Sequence, residues 1–148
     1  MVGGVGLGGR VSAGYSGTPL AKKLGIREGA RVATLGAPSH LVSLLEPLPR
    51  GVRIRPDLRG GGEFDVLIVF VRSERELADR FERARARLRV DGGLWVSWPK
   101  QSSPLASDLR ESDVRAHGLS RGLVDNKVCA IDQDWSGLRF VVRLRDRR

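Results

Sequence analysis

The sequence predicts an α/β fold: a compact, mostly parallel sheet with helices on both faces and a C-terminal antiparallel hairpin. Three features carry this reading. Phe64-Asp65-Val66-Leu67-Ile68-Val69-Phe70-Val71 is an almost unbroken apolar, β-branched run, the pattern of a strand covered on both faces. Leu77, Phe81, Ala84 and Leu88 then recur at helical spacing, and Gly92 to Lys100 reads as the next strand, giving a β-α-β unit. Val124, Val128 and Ala130, then Phe140, Val142 and Leu144, alternate on either side of the turn-like Gln133–Gly137, which predicts the hairpin.

Met1 to Arg10 carries glycines at 3, 4, 6, 8 and 9 but has no strand before it, as a dinucleotide-binding loop requires. Residues 1–13 are therefore expected to be a disordered leader and 14–148 a single domain. Thr18 is the expected N-cap of a short helix, with Pro19 at its first position and Gly25 as its stop. That helix either packs Leu20 and Leu24 on the sheet edge or offers an anion site with Ser16 and Thr18 as donors. Arg31–Gly36 reads as the first core strand, Gly36–His40 as its turn, and His40–Leu45 as a helix closed by Pro47 and Pro49. Val52–Arg55 is a short second strand, and Pro56–Glu63, with three consecutive glycines, a flexible loop. Ser73 and Glu76 form a capping box opening a helix to Leu88, which Asp91-Gly92-Gly93 ends. Beyond Lys100 the chain is irregular until a helix capped by Ser112 and ended by Gly118. The hairpin strands Leu123–Asp132 and Gly137–Leu144 and a basic tail follow.

A chain of 148 residues buries about 70% of its unfolded surface and needs no covalent staple. Cys129 stands alone, so no internal disulfide forms, and a reducing compartment, the cytoplasm, is expected. No apolar run approaches the ~20 residues of a membrane span, and the start lacks a signal-peptide pattern. Net charge is +9, yet of the 26 basic residues only Lys22, Lys23, Lys100 and Lys127 are lysines. Arginines scattered this evenly fit a solvated surface shaped by composition bias; a weak, salt-sensitive affinity for nucleic acid is the alternative.

The order of elements from Arg31 to Leu144 resembles a shortened Rossmann-like methyltransferase domain. The strand Phe64–Val71, the following helix, the Gly92-Gly93-Leu94-Trp95-Val96 strand and the terminal antiparallel pair carry the likeness. That family's first loop holds several glycines, so that its backbone can approach the methionine part of S-adenosylmethionine. Here the loop is Gly36-Ala37-Pro38, with one glycine and a proline lacking an N–H. Asp57, 21 positions beyond Gly36, stands where an acidic residue would hold the cofactor's ribose. The stretch between Arg55 and Asp65 is too short for the strand-helix pair the family places there. A degenerate site is expected, with no cofactor and S-adenosylmethionine not bound. Gly14–Gly25, Leu94–Lys100 and Gly122–Phe140 further resemble the uncharacterised bacterial domain-of-unknown-function 3052 family, which brings no activity with it.

Ligands in such sheets bind beyond the carboxyl ends of the strands. That edge collects Gly36–His40 with Ser39, Asp57, Arg72 and Ser73, and Trp98-Pro99-Lys100. Trp98 beside Lys100 suits a flat anionic ligand or a nucleotide, or else is a tryptophan covering the sheet edge and a lysine in water. Asp125, Lys127, Asp132, Asp134 and Trp135 form a second cluster. At strand spacing Asp125 and Lys127 share a face, as a cross-sheet ion pair or an acid–base pair. Gly-x-Ser-x-Gly and Walker loops are absent, and two histidines with one cysteine make no transition-metal site. The function expected is a non-catalytic domain binding a small anion or a protein partner. A transferase with an unorthodox site and a basic nucleic-acid-associated protein are the rivals; oligomeric state is not legible.

Overall fold

The computed structural model describes residues 17–147, so the expected leader at 1–13, and Ser16, lie outside the described residues. One six-stranded sheet runs in the order β2 (Arg53–Arg55), β1 (Arg31–Leu35), β3 (Phe64–Phe70), β4 (Leu88–Pro99), β6 (Trp135–Val142), β5 (Leu123–Ala130). The first four strands are parallel, with Ile68 opposite Trp95 at the centre. β6 runs antiparallel to β4, placing Gly137 opposite Ser97, and β5 pairs antiparallel with β6. This is the expected α/β sheet with its terminal hairpin.

Alternation along the strands builds two cores. Leu94, Val96 and Trp98 of β4 join Leu67 and Val69 under α3 (Glu74–Arg85) and α4 (Glu111–Ser120), where Leu77, Phe81 and Val114 are buried. Trp95 points to the other face with Val66, Ile68 and Phe70, beneath α1 (Leu20–Lys23) and α2 (Leu41–Leu45). The Trp95 indole N–H donates to Leu24 O at 3.0 Å, so a fully buried ring keeps its polar atom satisfied.

Several elements differ from the sequence pattern. Half of the expected capping box forms: Ser73 Oγ accepts from Glu76 N at 3.1 Å, but the Glu76 carboxylate takes the Arg72 N–H instead of that of Ser73, and α3 ends at Arg85 with Leu88 opening β4. Gly92 and Gly93 therefore lie inside a strand rather than in a turn. A Cβ on Gly92 would stand 2.7 Å from Asp65 O, so close approach of β3, not helix termination, requires the glycine. Gly118 is likewise interior to α4, where a Cβ would sit 2.1 Å from the Phe140 ring. Arg110, not Ser112, precedes that helix, and Asp113 Oδ2 accepts its backbone N–H at 2.9 Å.

The loop after β2, expected to be flexible, is held by arginine. Arg87 donates to Gly62 O, Leu58 O and Gly60 O at 2.6, 2.7 and 3.1 Å, and Arg31 to Gly61 O at 3.2 Å. The Arg31 and Arg87 guanidiniums also lie over the Phe64 ring, at 4.7 and 5.2 Å from its centroid respectively. A fork of five donors serves loop carbonyls that an ammonium could not reach together. Part of the arginine excess is thus structural.

Candidate functional site

The parallel strands deliver their carboxyl ends to one edge. From β1 the chain leaves at Gly36, from β2 at Pro56, from β3 at Val71 and from β4 at Lys100. The strand order reverses between β1 and β3, which puts the switch point of the sheet beyond the carboxyl ends of those two strands. Gly36 turns there with φ of 69°, a left-handed conformation that favours glycine.

Arg80 stands at that switch point. Its guanidinium, reaching back from the second turn of α3, donates to Phe70 O and lies 2.3 Å from where a Gly36 Cβ would be. Glu76, one turn earlier, is 3.6 Å from the guanidinium and accepts the Arg72 N–H at 2.8 Å. Arg72 in turn donates to Leu105 O at 3.3 Å rather than to a carboxylate. Sequence periodicity gave no sign of Arg80, because helical spacing says which face a residue is on and not what its tip reaches.

Part of the second cluster, Asp132 with Asp134 and Trp135, joins the first at this edge. His40, at the start of α2, lies 2.9 Å from Asp132 Oδ2, and Asp132 Oδ1 accepts the N–H groups of Asp134 and Trp135 at 2.8 and 2.9 Å. The carboxylate is 13% exposed and the imidazole 52%. Asp134 is fixed as well, accepting from Ser103 Oγ at 2.9 Å and, through its carbonyl, from Lys100 N at 2.8 Å. The strand pairing of Pro99 with Trp135 explains the convergence: it brings the start of β6 to the end of β4. His40 and Asp132 are 92 positions apart, and no local pattern links them.

The remaining candidates divide between this edge and other parts of the fold. Trp98 is 5% exposed and packed in the core under α3 and α4, so its ring offers no face to a ligand. Lys100 is half-buried at the strand end. Ser73 Oγ is engaged in capping, Ser39 is exposed beside His40, and Asp57 accepts from Arg59 N at 3.0 Å within its own turn. Thr18 does not cap α1: Pro19 does, with no side-chain bond, and four residues are too few for a helix-end anion site.

Trp135 is the first residue of β6, buried edge-to-face against Phe70 at 5.0 Å. Asp125 and Lys127 do not share a face. A bulge between them shifts the register, so that Asp125 meets Arg115 of α4 at 3.0 Å while Lys127 donates to Lys23 O of α1 at 2.8 Å. The two side chains thus reach helices on opposite sides of the sheet, and an acid–base pair between them is excluded.

The family model for a protein of unknown function (DUF3052) matches residues 59–144. The chain belongs to the DUF3052 family. A comparison with curated proteins gave no match. Solved structures give the fold: this DUF3052 chain is similar to Aeropyrum pernix fibrillarin in complex with natively bound S-adenosyl-L-methionine (TM-score 0.57, 17% identity, 82% of this chain and 73% of that one). It is also similar to a SAM-dependent methyltransferase from Aquifex aeolicus (0.58, 11%, 84% and 88%). A ribosomal protein L11 methylase from Lactobacillus delbrueckii subsp. bulgaricus is a third (0.57, 12%, 84% and 75%). At these identities the likeness is one of fold alone, and the Rossmann-like methyltransferase architecture stands as the sequence implied. Among the described residues no three His, Cys, Asp or Glu side chains gather as a metal site, and no helix is long and apolar enough to cross a membrane.

Proposed function

We propose that this domain uses a methyltransferase fold without methyl transfer, binding a small anionic ligand at the carboxyl edge in place of S-adenosylmethionine. The observation that carries the reading is Arg80 at the switch point, against Gly36 and Phe70 O. The residues present do not fit S-adenosylmethionine. One loop glycine is followed by Ala37 and by Pro38, which has no N–H to donate. A guanidinium fills the space into which the cofactor would come, and its charge repels the sulfonium centre. The same guanidinium, with Arg72 and Lys100 on neighbouring strand ends, favours an anion.

Thermal unfolding of the full chain tests this. A ligand at 100 times its dissociation constant stabilises by about 2.7 kcal/mol. With an unfolding entropy of roughly 2.1 cal/mol/K per residue, that raises Tm by about 9 °C. AMP is expected to shift Tm and S-adenosylmethionine to leave it unchanged, with the AMP shift reduced in R80M. A shift with S-adenosylmethionine, or an AMP shift indifferent to R80M, would overturn the proposal.

A second reading, an enzyme with an unorthodox site, is favoured by the His40–Asp132 pair. A carboxylate fixed by two backbone N–H groups orients an exposed imidazole at the same edge, the arrangement of a general base. Turnover of any bound ligand that is lost in H40Q, with binding kept, would support it over the non-catalytic reading.

A further inference from the structure

We propose that the cleft at the amino-terminal edge of the sheet is a second ligand site, holding a small phosphate monoester against Arg139 and Arg27. This cleft is at the opposite end of the strands from Gly36 and Arg80 and does not depend on the carboxyl-edge reading. It encloses about 350 Å3 between the turn Gly25–Ala30 and the start of β3. That volume is at the low end of the roughly 300–1,000 Å3 usual for small-molecule sites, and suits a sugar phosphate or a mononucleotide.

Arg139 is the anchor. It projects from β6 beside Trp95, half-buried, and its one side-chain partner among the described residues is the neutral Asn126 Oδ1 at 3.4 Å. Among the described residues no ion pair engages Arg139 or Arg27. Burying a guanidinium without a counter-charge is costly, and an oxyanion supplies one in bidentate geometry. Burial pushes the Arg139 guanidinium down from its ordinary value, and Arg147 and Arg27 push it the same way. Positive groups thus converge on a residue that lacks an acid.

The backbone makes room for this. A Cβ on Gly93 would meet Arg139 Nε at 2.4 Å and Cζ at 2.8 Å, so only glycine lets the guanidinium lie across β4 here. The carboxylates lining the cleft are engaged or peripheral. Asp65 accepts from Arg31 N at 2.8 Å and pairs with Arg89 at 3.2 Å. Asp91 pairs with Arg89 at 3.6 Å, and Glu28 is exposed at the rim.

Titration of the 15N-labelled full chain with inorganic phosphate and with AMP, at matched ionic strength, tests the site. Saturable shifts of the Arg139 Nε–H and the Gly93 amide are expected. Loss of a charged hydrogen-bonding partner should weaken binding about tenfold in R139Q. R27Q, at an exposed residue that holds no other group, should weaken it less, and R80M not at all; the last separates this site from the carboxyl edge. The proposal is overturned if chloride produces the same shifts as phosphate, or if R139Q and R27Q both bind as the wild type does. Acetate binding in preference to phosphate would overturn the assignment of ligand class.

Discussion

Replacing Gly118 by alanine sets two effects of known size against each other. In an exposed helix the change stabilises by about 1 kcal/mol, through the lower propensity of glycine. Here the new methyl would stand 2.1, 2.5 and 2.6 Å from Cε1, Cζ and Cδ1 of Phe140, well inside contact distance. The ring cannot yield easily. Phe140 is fully buried and edge-to-face with Phe81 at 5.5 Å, and Phe81 is edge-to-face with His117 at 5.0 Å. Relief requires α4 to lift from β6 by more than an ångström, which puts the cost at the upper end of overpacking, about 3 kcal/mol. The net is a loss of about 2 kcal/mol, or about 6 °C in Tm for a chain of this length. Denaturant unfolding of G118A beside G61A measures it, since Gly61 faces open space and should change little. A G118A protein as stable as the wild type would refute the claim that close helix–sheet approach, not helix termination, explains this glycine.

Three further outcomes follow from the same contacts. R87K should destabilise by about 2 kcal/mol, because an ammonium replaces at most one of three short bonds to the loop carbonyls, and hydrogen exchange over residues 58–62 should accelerate. His117 is held below its ordinary pKa first by burial and then by Arg121, with Glu82 opposing, and its Nε2 is buried with no hydrogen-bond partner among the described residues. Below about 6.5 the unfolded chain takes up a proton that the native state refuses. Stability therefore falls as pH drops through that region, and H117F should flatten this part of the denaturation midpoint–pH curve. D125N should cost only about 0.5 kcal/mol, since the Arg115 pair is partly exposed and Arg115 keeps Glu111 at 2.6 Å. A much larger loss would mean that Asp125 does more than pair across to α4.

The centre of the fold was legible because its signals are local and agree. The apolar run of β3, the Ser73–Glu76 cap and the spacing of Leu77, Phe81 and Ala84 each specify one element, and together they specify a parallel pair. What stayed hidden depends on contacts between distant residues. Gly92, Gly93 and Gly118 look like stops in sequence, whereas each clears space for a neighbour that only the folded chain brings near. The bulge at Asn126 defeats strict alternation, so Asp125 and Lys127 part company. Trp98 carries the same aromatic signal whether it faces a ligand or a core, and burial decided for the core. The proposed site follows the same rule: the carboxyl edge comes from the strand order, whereas the placement of Arg80 and the His40–Asp132 contact come only from the folded chain.

Ligand binding without methyl transfer requires that the switch-point edge refuse S-adenosylmethionine. Calorimetric titration of the full chain with S-adenosylmethionine, and in parallel with AMP, addresses it directly. Saturable heat with AMP that falls in R80M, and none with S-adenosylmethionine, is the predicted result. A saturable isotherm with S-adenosylmethionine would contradict it and return the domain to the chemistry of its structural neighbours.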